Sequence, residues 1–277
     1  MPSLKKVMVR CDMEGVSGVV NYDQVTPGRP DYAFGQRMFM HDLLALLDGL
    51  QAGGVEEVVL YDEHKTGCNI DLERLPAYVT SICGKPPYRA DWPGGLDDTF
   101  DGMILLGLHA KAATAGALMP HTYEHVIADL RLNTVSLGEI GMEAAIAADC
   151  GMPTLLVVAD SAGAAEAERL LPGVPTVAVK ESLSESGAAC LPLAVTAQHI
   201  HDAARTIATS PPPVELLSVD SPARLEIELH AGRYLDAFAR LFATPMLDER
   251  TVMIEGPNTL TVWAQYWQMK LKVQATL

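Results

Sequence analysis

The chain has 277 residues, 49% hydrophobic and 20% charged, with 35 Asp plus Glu against 20 Lys plus Arg and a formal net charge of −15. Folding a chain of this size buries roughly 70–75% of its unfolded surface, enough for a full core, so intrinsic disorder is excluded over most of the length. No run approaches the about 18 uninterrupted apolar residues of a membrane span, and an acidic chain without a basic stripe repels a phosphate backbone. Neither a membrane nor nucleic acid is expected as a partner.

The first residues, Met1–Lys6, carry no apolar signal core and run directly into a strand pattern at Lys6–Cys11. Further strand patterns follow at Glu57–Tyr61, Met103–Leu108, Thr154–Ala159 and Thr176–Val179. Helical periodicity lies between or after them, at Tyr32–Ala52, Glu139–Cys150, Ala162–Leu171 and Pro192–Thr209. Strands apolar on both faces and separated by helices predict an α/β fold, a mostly parallel sheet in a three-layer αβα arrangement. Gly53-Gly54, Gly151 and Pro172-Gly173 stand just past three of the helices, where helices stop.

Ser210-Pro211-Pro212-Pro213 cannot continue a helix and reads as an extended linker. Beyond it come a strand at Arg224–Leu229, a helix at Gly232–Phe242, a strand at Thr251–Glu255 and a helix at Thr259–Leu271. The expected division is a metal-binding α/β domain over 1–209 and a small α+β region over 214–277 that makes oligomer contacts. The competing reading continues the main sheet after a surface loop. Five cysteines (Cys11, Cys68, Cys83, Cys150 and Cys190) are odd in number, widely spaced and without a CxxC pair. That argues against a disulfide framework or zinc ribbon and for a reduced, cytoplasmic protein.

Chemistry gathers where strand patterns end. The first runs into Asp12-Met13-Glu14-Gly15, the second into Asp62-Glu63-His64, and the third into His109. Ligands of open α/β sheets bind beyond the carboxyl ends of the strands, so Asp12, Glu14, His64 and His109 are expected on one rim. Alone, each is more economically a helix cap, a loop charge or a structural histidine. Together they form a mixed oxygen and imidazole donor set suited to zinc, manganese or iron. Asp12 and Glu14 share one face of a strand, and two adjacent carboxylates repel unless a proton or a cation lies between them.

Gly15 permits a sharp turn, but neither GxxxxGK[ST] nor GxGxxG is present, which disfavours a phosphate cradle. Glu139 opens a helix, where a carboxylate also answers the helix dipole. His121 and His125 are four residues apart, but Met119-Pro120-His121-Thr122 reads as loop rather than helix. His41, His199, His201 and His230 lack such a context, and His199 and His201 are expected to be exposed on a polar helix.

The segment Val9-Arg10-Cys11-Asp12-Met13-Glu14-Gly15-Val16-Ser17-Gly18 resembles the xDxEGxxG signature of the zinc-dependent D-aminopeptidases of the DppA type. Asp62-Glu63-His64, Gly107-Leu108-His109-Ala110-Lys111-Ala112, Gly116–Thr122 and Gly138-Glu139-Ile140-Gly141 are similar to that family's later motifs in the same order. Val179-Lys180 and Cys190-Leu191 resemble a further stretch. The likeness covers residues 5–195 well and the C-terminal part loosely. It implies two zinc ions per subunit held by Asp12, Glu14, His64, His109 and Glu139, with Asp12 between the metals and His121 catalytic. It also implies a homodecamer acting on short peptides, releasing N-terminal amino acids. Because the interval from His109 to His121 is one residue longer than the family pattern, His125 competes for the catalytic role. The rival functions are an amidohydrolase or phosphoesterase on the same dinuclear centre, and a peptide-binding protein without catalysis.

Overall fold

The computed structural model describes residues 3–242 and 245–277. Its central sheet contains β1 (Lys6–Cys11), β2 (Glu57–Asp62), β3 (Val79–Ile82), β4 (Gly102–Leu108), β7 (Thr154–Ala159) and β8 (Thr176–Ala178). These six run parallel in the order β3-β2-β1-β4-β7-β8. Every residue of β4 and β7 is buried, as expected of central parallel strands covered on both faces. The expected α/β fold with a mostly parallel sheet is the fold observed.

Alternation along β1 assigns the two faces. Val7, Val9 and Cys11 pack with Phe39, Leu43 and Leu47 of α1 (Tyr32–Ala52) and Ile200 and Ala204 of α4 (Leu193–Thr209). Met8 belongs to the opposite core, with Ile140 and Ala144 of α2 (Glu139–Asp149) and Ala167 of α3 (Ser161–Leu170). The chain adds strands outward from β1 through β2 to β3, then returns to β4 on the other side. This switch between β1 and β4 opens a crevice at their carboxyl ends, and β2, β1 and β4 end there in Asp62, Cys11 and Leu108.

A second, antiparallel sheet has the order β12-β11-β5-β6, built from β5 (Ile127–Leu132), β6 (Val135–Ser136), β11 (Ala223–Leu229) and β12 (Thr251–Gly256). Two of its strands precede the proline run, so residues 214–277 do not form this sheet alone. Leu225 and Ile227 of β11 pair with Leu132 and Leu130 of β5. Asn133 and Thr134, at φ of +46° and +72°, make the two-residue turn from β5 to β6. Helices α5 (Arg233–Leu241) and α6 (Thr259–Gln274) complete this lobe through Phe238, Trp263 and Tyr266, which join the core beneath α2. A hairpin of β9 (Lys180–Ser184) and β10 (Gly187–Cys190) leaves the sheet beside its rim.

Candidate metal centre

Asp12 and Glu14 follow β1 directly, on a turn that only glycine permits. A Cβ on Gly15 would stand 1.8 Å from the carbonyl oxygen of Leu108, and one on Gly107 would stand 2.0 Å from that of Asp12. The Gly15 N–H instead donates to Gly107 O at 2.7 Å. These two bare backbones bring the end of β1 against the end of β4, and with it Asp12 against His109.

All five expected ligands, Asp12, Glu14, His64, His109 and Glu139, are buried. Asp12 directs one carboxylate oxygen to each imidazole: Oδ1 lies 2.8 Å from His64 Nδ1 and Oδ2 lies 3.5 Å from His109 Nε2. Glu14 Oε2 is 3.0 Å from the same His64 nitrogen. Glu139 Oε1 is 3.5 Å from the same His109 nitrogen. Two groups result, one of His64 and Glu14 and one of His109 and Glu139, with Asp12 common to both.

Backbone carbonyls orient the rings. His64 Nε2 lies 2.6 Å from Val25 O, and His109 Nδ1 lies 3.0 Å from Ala110 O. A carbonyl accepts only, so the neutral tautomer assigned to each ring carries its proton there. The lone pairs of His64 Nδ1 and His109 Nε2 then face the carboxylates, an arrangement that attracts a cation. Glu14 Oε2 and His109 Nε2 are buried and make no hydrogen bond. These orphaned donor atoms, in a set of three carboxylates and two imidazoles, fit divalent zinc.

The electrostatics agree. Burial pushes both imidazoles down, but the carboxylates outweigh it: Glu14 and Asp12 lift His64 well above its ordinary value, and Glu139 leads those that raise His109 to about 10. Burial and the neighbouring Glu14 raise Asp12 to about 7. For Glu14 burial acts upward, yet His64 prevails and holds its carboxyl well below the usual range. The field that draws protons to these imidazoles equally draws a divalent cation, and cation binding releases those protons.

His121 stacks on His109, with ring centroids 4.2 Å apart and planes 12° from parallel. Its Nδ1 lies 3.0 Å from Met119 O. Ligand atoms of His109, His121 and Glu139 all fall within 4.8 Å of one another. Burial, followed by the charge of His109, lowers His121 to about 4. His125 lies one ring further out, stacked on His121 at 4.7 Å with Tyr22 edge-on at 4.9 Å. The segment is loop, as its sequence suggested. Left-handed φ angles at Met119 (+45°) and Tyr123 (+56°) curl it so that both rings share one stack. Of the other histidines, His199 is exposed, whereas His201 is half-buried beside Asp202.

A family profile described as D-aminopeptidase, peptidase M55, matches residues 5–267. The chain belongs to this family. Within it, a D-aminopeptidase of Bacillus subtilis (strain 168) is 34% identical over 188 residues, 67% of each chain. Among solved structures, the Zn-dependent D-aminopeptidase DppA from Bacillus subtilis, a self-compartmentalizing protease, superposes with a TM-score of 0.87. That likeness covers 98% of this chain and 97% of the other at 27% identity.

In this M55 chain a polar network outside the motif residues lies behind the centre. The Tyr123 N–H donates to Glu139 Oε1 at 2.6 Å, and its hydroxyl donates to Glu143 Oε1 at 2.7 Å. Glu143 and Glu63 share Arg10, whose Nη1 lies 2.8 Å from Glu143 Oε2 and 2.5 Å from Glu63 Oε1. Trp263 of α6 packs on Tyr123 with ring centroids 4.6 Å apart and planes tilted by 38°, linking the second lobe to this network. Two spacings held the signal: Arg10 precedes Asp12 by two on one strand face, and Glu143 follows Glu139 by one helical turn. Neither is meaningful until the partners across the sheet are known.

Proposed function

We propose that this chain is a zinc-dependent aminopeptidase that releases N-terminal residues, D-residues foremost, from short peptides. Two zinc ions per subunit would be held by Asp12, Glu14 and His64 on one side and by Asp12, His109 and Glu139 on the other. The observation that carries this reading is Asp12, with one carboxylate oxygen toward each of two imidazoles whose lone pairs face inward. Bound there, zinc supplies Lewis-acid polarisation of the scissile carbonyl and lowers the pKa of water to around 7.

The chain's own groups supply the rest. Val25 O and Ala110 O hold the two imidazoles in orientation, and Tyr123 N–H fixes Glu139. His121 is neutral at working pH, and donation from Nδ1 to Met119 O leaves the lone pair on Nε2. From Nε2 it would accept the proton given up by the attacking water and pass that same proton to the leaving amine as the peptide C–N bond breaks. His125 is the outer member of the stack and supports His121. The stacking of His121 directly on His109 favours this division of roles.

By likeness to the self-compartmentalizing relative, the chain assembles into a homo-oligomer, a decamer in this reading, with residues 214–277 at contacts between subunits. No helix among the described residues is long and apolar enough to cross a membrane, and we place the protein in the cytoplasm. The test is a panel of dipeptides of both chiralities and a phosphate ester, run on protein of measured zinc content with and without chelator. Chelator-sensitive release of amino acids is expected. Turnover of the ester alone, or turnover indifferent to zinc, defeats the proposal.

A further inference from the structure

Lys180 opens β9 at the rim of the sheet and is 1% exposed. Its Nζ donates to three backbone carbonyls: Glu14 O at 2.6 Å, Val16 O at 2.6 Å and Val19 O at 2.7 Å. An ammonium has three N–H donors and no acceptor, so this tripod uses all of them. The three carbonyls come from the single turn that follows β1, more than 160 residues away in the chain.

Three carbonyl dipoles pointing at one place repel one another. Buried without a donor, each would keep its full desolvation cost, and the turn would open to hydrate them. Two other contacts hold the same turn: Gly15 N–H on Gly107 O, and buried Asp42, which accepts from Ser17 N–H and Oγ at 2.7 Å each. Neither satisfies the inward carbonyls. Glu14 O and the Glu14 side chain are carried by the same Cα, so opening of the turn displaces the point from which the carboxylate reaches His64 Nδ1 at 3.0 Å.

We propose that Lys180 is a positioning residue, a built-in cation around which residues 14–19 wrap, so that Glu14 is presented to the metal centre in one fixed orientation. This rests on the zinc reading above. It assigns the lysine no contact with substrate or metal. Its effect runs through the backbone of Glu14.

The experiment compares wild type, Lys180→Met and Lys180→Ala. Zinc affinity is measured by competition with a chromophoric chelator, and amide hydrogen exchange is followed over residues 13–19 and over β4 and β7. In Lys180→Met, zinc binding is expected to weaken at least about tenfold, the usual scale for losing a group that orients a ligand. Exchange should rise at residues 13–19 and stay unchanged in β4 and β7. In Lys180→Ala, ammonium chloride should restore zinc affinity where sodium chloride at equal ionic strength does not.

Wild-type affinity and exchange in Lys180→Met overturn the proposal, as does equal recovery, or none, with the two salts. Faster exchange throughout β4 and β7 in both variants also overturns it, because the lysine would then support the fold at large. Failure of the wild type to bind zinc defeats the metal reading instead, and exchange at residues 13–19 still decides the role of Lys180.

Discussion

Replacing Arg10 by Met separates a buried charge from its two partners. The Arg10 side chain is 1% exposed, with Glu63 and Glu143 at 10% and 3%, so water screens the three groups weakly. At an effective dielectric of about 20, each pair with charge centres near 4 Å apart attracts by about 4 kcal/mol. Most of this is offset by the several kcal/mol lost in desolvating each ion. Breaking the triad is different, because two carboxylates stay buried with no guanidinium between them, at a cost of about 3–5 kcal/mol. Burial and Glu143 already raise Glu63 to about 8 against the opposing pull of Arg10. Removing Arg10 takes away that pull and drives the carboxyl further toward its protonated form, which limits the cost to the range above rather than adding to it. Thermal denaturation monitored by circular dichroism should show Tm lowered by on the order of 10 °C for a chain of this length. Adding Glu63→Gln and Glu143→Gln removes the uncompensated charge and should recover at least half of the loss. Arg10→Met within about 1 kcal/mol of wild type, or a triple variant no more stable than the single one, would refute the reasoning.

Glu14→Ala and His109→Ala should each lose one zinc and most peptidase activity while keeping the far-ultraviolet spectrum; full zinc content by elemental analysis contradicts this. His121→Ala should retain both metals and lose turnover by about 100-fold or more, the scale of a missing proton-transfer group, with His125→Ala milder; the reverse order in steady-state kinetics reassigns the role. In the apoprotein, His121 at about 4 lies below its unfolded value of about 6.5. The unfolded chain then binds more protons between those values, so stability is complete above pH 6.5 and falls as pH drops toward 4. His121→Gln should remove up to about 3 kcal/mol of that acid loss in urea titrations; an unchanged pH profile counts against the half-buried, neutral imidazole. Calorimetry of zinc binding to the apoprotein in buffers of different ionisation enthalpy should show net proton release at pH 7, since His109 is raised to about 10; zero release speaks against displacement of protons from the imidazoles.

Local pattern carried far in this chain. The apolar runs of β1, β4 and β7 and the helices between them announced a parallel sheet, because strands buried on both faces lack polar alternation. The strand-end positions of Asp12, His64 and His109 followed, since parallel strands joined by helices all end on one rim. What local pattern did not reveal was pairing across long separations. β5 is not legible locally, because Ile127–Leu132 has only moderate alternation and sits in a loop-rich stretch. It becomes a strand by pairing with β11, nearly a hundred residues later. Likewise the proline run looked like a boundary between folding units, yet the second sheet draws strands from both sides of it.

Residue types and their order along the chain thus determined the sheet class and brought three motif-bearing strand ends to the same edge. Tertiary structure decided how those ends face one another: Asp12 directed to two rings, His121 rather than His125 against His109, and Arg10, Glu143, Tyr123 and Lys180 behind them. The difference is physical. Burial periodicity is a property of neighbouring residues, whereas the orientation of a carboxylate depends on donors and charges that reach it only once distant segments have packed.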